Sequence, residues 1–135
     1  MPFCKHTFEP TYNCAALKIK NHNITKLADK FVELSGLRNL FIESGSLKAL
    51  PKNMEMLKNI NRFHVNFNHL QNFNVDVLQY ELLNSLGLSF NNITEYNENL
   101  WLHPELVNLH INNNRIPRIP ENVFLPHLLS ALTHP

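Results

Sequence analysis

Glycine is scarce in this chain, three residues in 135. No glycine-rich loop able to cradle a phosphate can be built from so few. The G-x-S-x-G elbow of a serine hydrolase is missing too. No apolar run reaches the roughly eighteen residues of a membrane span, so no transmembrane segment is expected. The opening stretch MPFCKHTFEP lacks the apolar core of a secretory leader. That places the chain in the cytoplasm by default, or outside the cell if it is a fragment of a longer one. Charged residues make up 17%, below the usual share of about a quarter. Net charge is +1 and the basic residues form no stripe, so nucleic acid is not expected as a partner. Eight histidines add positive charge in acid. A chain of this length is one domain by the usual prior.

Asparagine stands where many surface charges would, and its placement is regular. The segments LRNLFIESGSL from Leu37, INRFHVNFNHL from Ile60, LNSLGLSFNNI from Leu83 and LVNLHINNNRI from Leu106 each begin 23 residues after the last. One period earlier lies CAALKIKNHNI at Cys14, and one later LSALTHP at Leu129. A fixed period of this size marks a solenoid.

Within each unit the first, fourth, sixth, eleventh and fourteenth places are apolar. The fourth place reads Leu17, Leu40, Phe63, Leu86, Leu109, and the sixth reads Ile19, Ile42, Val65, Leu88, Ile111. Alternation with polar neighbours predicts a short strand with one buried face, near 17–19, 40–42, 63–65, 86–88 and 109–111. Phe31, Met54, Val77, Leu100 and Val123 form a later column, followed three residues on by Leu34, Leu57 and Tyr80. That spacing predicts short helices or turns packing back over the strands, most clearly at 75–83. No unit can bury its apolar side alone; stacked units fuse their columns into one core.

The ninth place holds Asn68, Asn91 and Asn114 in consecutive units. The chain turns inward here, and a carboxamide carries donors and an acceptor for the backbone of its own turn and the next. Stacked asparagines of this kind form ladders along parallel arrays.

These segments resemble the leucine-rich repeat, L-x-x-L-x-L-x-x-N-x-L. RIPENVF after Ile116 and KALPKNM after Leu47 are similar to its variety with 23-residue units. The resemblance covers about Cys14 to Pro126. It implies an α/β fold: a curved right-handed solenoid with a parallel sheet on its concave side that binds other proteins. Residues 1–13 are then a flank or cap, 14–128 five repeats, and 129–135 an incomplete sixth. His22 and Gly45 depart from the pattern at the asparagine place, as do Asn74 and Asn97 where the variety often has proline. Weaker ladder contacts are therefore expected at the N-terminal end, and less regular outer segments in the middle.

Many secreted members cover their first unit with a disulfide-bonded flank, which Cys4 and Cys14 loosely resemble; two reduced thiols in a cytosolic chain remain the alternative. The triplets at Asn23 and Asn92 match the N-glycosylation pattern, as an asparagine-rich repeat would by chance.

On the concave side the third, fifth and seventh places of the strand point away from the core. Aromatic and arginine side chains are frequent hot spots, so Phe41, Arg62, His64 and His110 are the first candidates for partner binding. Glu43, Asn66, Ser89, Asn108 and Asn112 complete the candidate surface. Phe67 and Phe90, at the eighth place, either join this face or stack within the turn. His64 and His110 stand two strand spacings apart, roughly 10 Å, and meet only by leaning over Gly87. With no third ligand nearby, neither a metal nor any other cofactor is expected.

Neither cysteine has an evident base partner, and Glu43 is the one carboxylate expected on the face, so no acid–base pair forms. An enzyme is not expected. Two non-enzymatic classes stand: a protein-interaction module or scaffold, and part of a secreted or receptor-type ectodomain whose output lies elsewhere. At LSALTHP the sixth unit stops before its asparagine, which leaves apolar columns at Ile111, Ile116 and Ile119 with little cover. A truncated chain, or self-association through that end, is the expectation.

Overall fold

The computed structural model describes residues 14–116. Cys4, the later half of the fifth unit and the sixth unit lie outside the described residues, and with them the Cys4–Cys14 bridge and the expectation about the C-terminal end. Five strands form one parallel sheet in the order β1-β2-β3-β5-β7. They are β1 Ala16–Lys20, β2 Asn39–Glu43, β3 Arg62–His64, β5 Ser85–Gly87 and β7 Asn108–His110. Fourth-place residues pair in unbroken register, Leu17 with Leu40, Leu40 with Phe63, Phe63 with Leu86 and Leu86 with Leu109.

β1 and β2 contain the expected strands. The other three begin and end one residue earlier than expected, because pairing starts at the polar third place: Arg62, Ser85 and Asn108. The sixth-place N–H groups still bond the next unit as the chain leaves the strand, Val65 to Gly87 O at 2.8 Å and Leu88 to His110 O at 2.7 Å. A second, two-stranded parallel sheet joins β4 Asn72–Phe73 to β6 Glu95–Tyr96. It is built on the fourteenth-place column of Phe73 and Tyr96.

The apolar columns converge on one core. In the three middle units Leu37, Leu40, Ile42 and Leu47, then Ile60, Phe63, Val65 and Leu70, then Leu83, Leu86, Leu88 and Ile93 are all buried. Burial of such columns, at about 25 cal/mol per Å² of apolar area, is what holds units that lack a core of their own.

Among the described residues every helical segment is a 3-10 helix: Asp29–Glu33, Met54–Met56, Val77–Gln79 and Glu98–Leu102. Three to five residues cannot repay the nucleation of an α-helix, so the tighter i→i+3 bond closes each instead, as in Tyr80 N–H to Val77 O at 3.0 Å. Two of these helices are capped by the side chain that precedes them. Asp76 accepts from Leu78 N–H and Asn97 from Asn99 N–H. Asn97 thus caps a helix at a place where the resembled variety often has proline. Asp76 also receives Asn99 Nδ2 at 3.0 Å and donates its N–H to Glu55 Oε1 at 3.0 Å, which clips three successive units together on this side. The bond from Asn99, joined by those from Leu78 and Gln79, holds the Asp76 carboxyl below its ordinary pKa against the opposing effect of burial.

Behind the sheet, Phe63 meets Phe73 and Tyr80 edge-on, at 5.9 and 6.2 Å between ring centroids. The Tyr80 hydroxyl donates to Met54 O at 2.6 Å. Burial, reinforced by Glu55, pushes its pKa far above the ordinary phenol value, so it remains a donor. Tyr80→Phe leaves a buried carbonyl without that donor and is expected to cost about 1–2 kcal/mol. A urea transition whose midpoint does not move would refute the bond's contribution. His103, also buried, takes Glu105 N–H on Nδ1 at 3.1 Å and therefore donates from Nε2 to Tyr80 O at 2.7 Å.

Candidate functional site

The asparagine place forms a continuous column. Asn91 is 6% exposed. Its Oδ1 accepts Leu70 N–H of the preceding unit at 3.1 Å, and its Nδ2 reaches Val65 O, Leu88 O and Ser89 O at 3.0, 3.1 and 3.2 Å. Asn68 makes the corresponding bonds to Leu47 N–H, Ile42 O, Val65 O and Asn66 O. Asn114 makes them to Ile93 N–H, Leu88 O, Ile111 O and Asn112 O. Each sixth-place carbonyl in the middle, Val65 and Leu88, is shared by two carboxamides. In all five units the eighth-place residue is left-handed: Asn21, Ser44, Phe67, Phe90 and Asn113 have φ between 51 and 59°.

On the outer face of the sheet the candidates fall into a connected group. Phe41 packs on His64 at 5.1 Å, and His64 lies 6.3 Å from His110. The imidazoles do lean together, which shortens the separation expected from strand spacing. Gly87 makes this possible. A Cβ there would lie 2.6 Å from both His64 Nδ1 and Asn66 Nδ2. Asn66 donates to Glu43 Oε2 at 2.9 Å and accepts Ser89 N–H at 2.8 Å. Its Nδ2 stands 3.5 Å from His64 Nδ1, while His64 Nε2 meets Ser85 Oγ at 2.8 Å. Arg62, Asn108 and His110 are exposed, while Phe41, Glu43, His64, Asn66 and Asn112 are half-buried.

Ser89 departs from expectation. It is 5% exposed, because its N–H is taken by Asn66 and its hydroxyl by Asn112 Oδ1. Its place in the strand period points it outward, but longer neighbours close over it. It braces the face from below.

Burial lowers the His64 pKa below 6.5; Glu43 works against this, and His110 and Arg62 add to the lowering. Below pH 6.5 the unfolded chain therefore binds a proton that the folded chain resists. Stability from this residue is fully present above that pH and is lost as pH falls through the folded pKa. His64→Gln is expected to flatten part of the acid-side fall in melting temperature between pH 7 and 5. Parallel melting curves for the two proteins across that range would contradict the assignment.

Beside this group, at the edge of the sheet, Phe67 and Phe90 stack with 4.4 Å between centroids and 7° between planes. They remain 50% and 41% exposed, so the stack forms without tucking away. Together with His64, Asn66, Ser89, His110 and Asn112 they line a shallow depression of about 290 Å³. The periodicity marked these two places as aromatic, but the left-handed backbone beneath them had no sequence signal beyond Asn21 and Asn113 at the same place.

No family model matches the chain, and no curated protein does. Solved structures do. The chain has the leucine-rich repeat fold, a solenoid with its parallel sheet on the concave side. It is similar to TLR13 in a TLR13–ssRNA13 complex, with 19% identity and a TM-score of 0.65 over 81% of this chain. It is also similar to the Leptospira interrogans LRR protein LIC12759, with 22% identity and a TM-score of 0.56 over 77% of this chain. It spans 16% of the length of the first and 32% of the second.

Proposed function

We propose that the chain is a protein-interaction module or scaffold that takes a partner protein on the concave face. The observation that supports this most is the joined group of Phe41, His64, His110, Asn66 and Glu43 over successive strands, flanked by exposed Arg62 and by a half-exposed aromatic pair. Such a mixture of aromatic, arginine and neutral hydrogen-bonding groups is the composition of binding hot spots. Among the described residues no cluster of three His, Cys, Asp or Glu side chains is placed to hold a metal ion. Among the described residues of the five strands Glu43 is the one carboxylate, and Asn66 donates to it and positions it. The RNA in the TLR13 complex belongs to that protein; no lysine or arginine lines the depression here.

A photo-reactive side chain placed at Asn108, in cells of the source organism, should cross-link a partner. The same group at exposed Gln79, behind the sheet, should not. Cross-links from Gln79 alone would overturn the concave-face reading.

The ectodomain reading keeps specific support. Asn23 and Asn92 of the glycosylation triplets are both exposed, and Cys14 is buried and not a free thiol. Mass spectrometry of native material without reduction decides it, by the presence or absence of glycan and of a bridge at Cys14.

A further inference from the structure

We propose that the depression beside Phe67 and Phe90 seats an aromatic side chain of the partner protein, which adds a ring to the existing pair. The proposal rests on the concave-face reading and names the chemistry of what docks there.

Two features of the pair are unfavourable to the isolated chain. Both phenylalanines sit at φ near +58°, 59° for Phe67 and 57° for Phe90, a conformation that L-residues avoid and that asparagine tolerates best. Both also expose about half of a large apolar ring. The units on either side solve the same backbone problem with Ser44 and Asn113, so the fold does not demand aromatics there. Strain and exposure kept together on one spot point to a surface completed by binding.

The geometry says what completes it. The two rings are parallel at the spacing of the repeat, and the stack stops at Ser44 on one side and Asn113 on the other. Beside the pair the depression extends over His110 and Asn112 and has a volume of about 290 Å³, room for one ring against an aromatic wall. Offset stacking there gains more than area burial alone. The polar lining is His64, Asn66, Ser89, His110 and Asn112, with no Lys, Arg, Asp or Glu. Burial keeps His64 below its ordinary pKa, and exposed His110 offers its ring nitrogens at the rim. A phosphate would find no lysine or arginine in the lining to replace its counterions. A Trp, Tyr or Phe flanked by peptide groups meets both the wall and the polar rim.

The probes are N-acetyltryptophanamide, N-acetylleucinamide and a short single-stranded oligouridylate, titrated into isotope-labelled protein and followed by NMR. The tryptophan derivative is expected to shift Phe90 and His110 signals saturably, and the leucine derivative to leave them in place. In Phe67→Ser with Phe90→Asn, which installs the residue types already found at the eighth place, apparent affinity should fall at least about tenfold. The melting temperature should hold, since Phe90→Asn relieves backbone strain and serine already occupies this place at Ser44. Equal response to the leucine derivative, or undiminished binding by the double variant, overturns the proposal. So does an oligouridylate that shifts the same signals at lower concentration, which would make this a nucleobase seat. A partner cross-linked at Asn108 that binds the double variant unchanged refutes the aromatic seat and leaves the concave-face reading intact. Cross-links confined to Gln79 remove the concave-face reading on which the proposal rests.

Discussion

Asn91→Ala is expected to lower the unfolding free energy by about 3 kcal/mol, more than any surface substitution in the chain. The cost follows from what the carboxamide serves. Leu70 N–H loses its acceptor at a fully buried residue, and Val65 O and Leu88 O each lose one of two donors. An orphaned buried polar group costs about 1–3 kcal/mol, and water cannot reach Leu70 to replace the bond. Asn114→Ala should cost less, because that end of the column is only half-buried. Asn92→Ala, exposed at the adjacent position, should stay within about 0.5 kcal/mol. Urea unfolding of the three variants tests the order. If Asn91→Ala unfolds at the same midpoint as Asn92→Ala, the column does not carry stability.

The 23-residue period made the sheet legible because burial and pairing share it. Leu40, Phe63 and Leu86 must face the core for the units to stack, and that requirement also sets their register. Other features depend on reach between units, to which periodicity is blind. Ser89 occupies an outward place, yet Asn66 and Asn112 close over it. Gly87 interrupts the histidine column, and only coordinates show that its missing Cβ is what lets His64 and Asn66 share the space. The kind of helix was hidden for a different reason. A spacing of three suits α and 3-10 alike, and the shortness of the segments between fixed strand and sheet positions decides for the tighter form. The left-handed eighth place had a partial signal in Asn21 and Asn113, overridden at Phe67 and Phe90 by residues that local propensity would not choose.

Gly45→Ala is expected to destabilise the chain by about 1–3 kcal/mol, although Gly45 has no positive φ to lose. Gly45 and His22 both depart from asparagine, and the two departures compensate each other. In the later units an asparagine caps the eleventh-place N–H of the unit before it: Leu47, Leu70 and Ile93. By that rule Ile24 N–H belongs to position 45, where glycine has nothing to offer. His22 caps it instead, with Nδ1 at 3.0 Å, and its ring fills the place of the missing side chain. A Cβ on Gly45 would lie 2.3 Å from His22 Cε1 and Nε2. The ring is rigid and pinned at Nδ1, so it must swing out and release Ile24 N–H. The arrangement is serviceable but incomplete, since buried His22 Nε2 has no hydrogen-bond partner and neither residue supplies the carboxamide that later units place on Ile42, Val65 and Leu88. His22→Asn combined with Gly45→Asn should therefore restore the column and unfold at higher urea than the parent. Gly45→Asn alone should be destabilising, because the histidine still occupies the space. The pair is expected to couple by about 1–3 kcal/mol in a double-mutant cycle. Additive effects would mean that the two positions vary independently and that the ring is not standing in for the carboxamide.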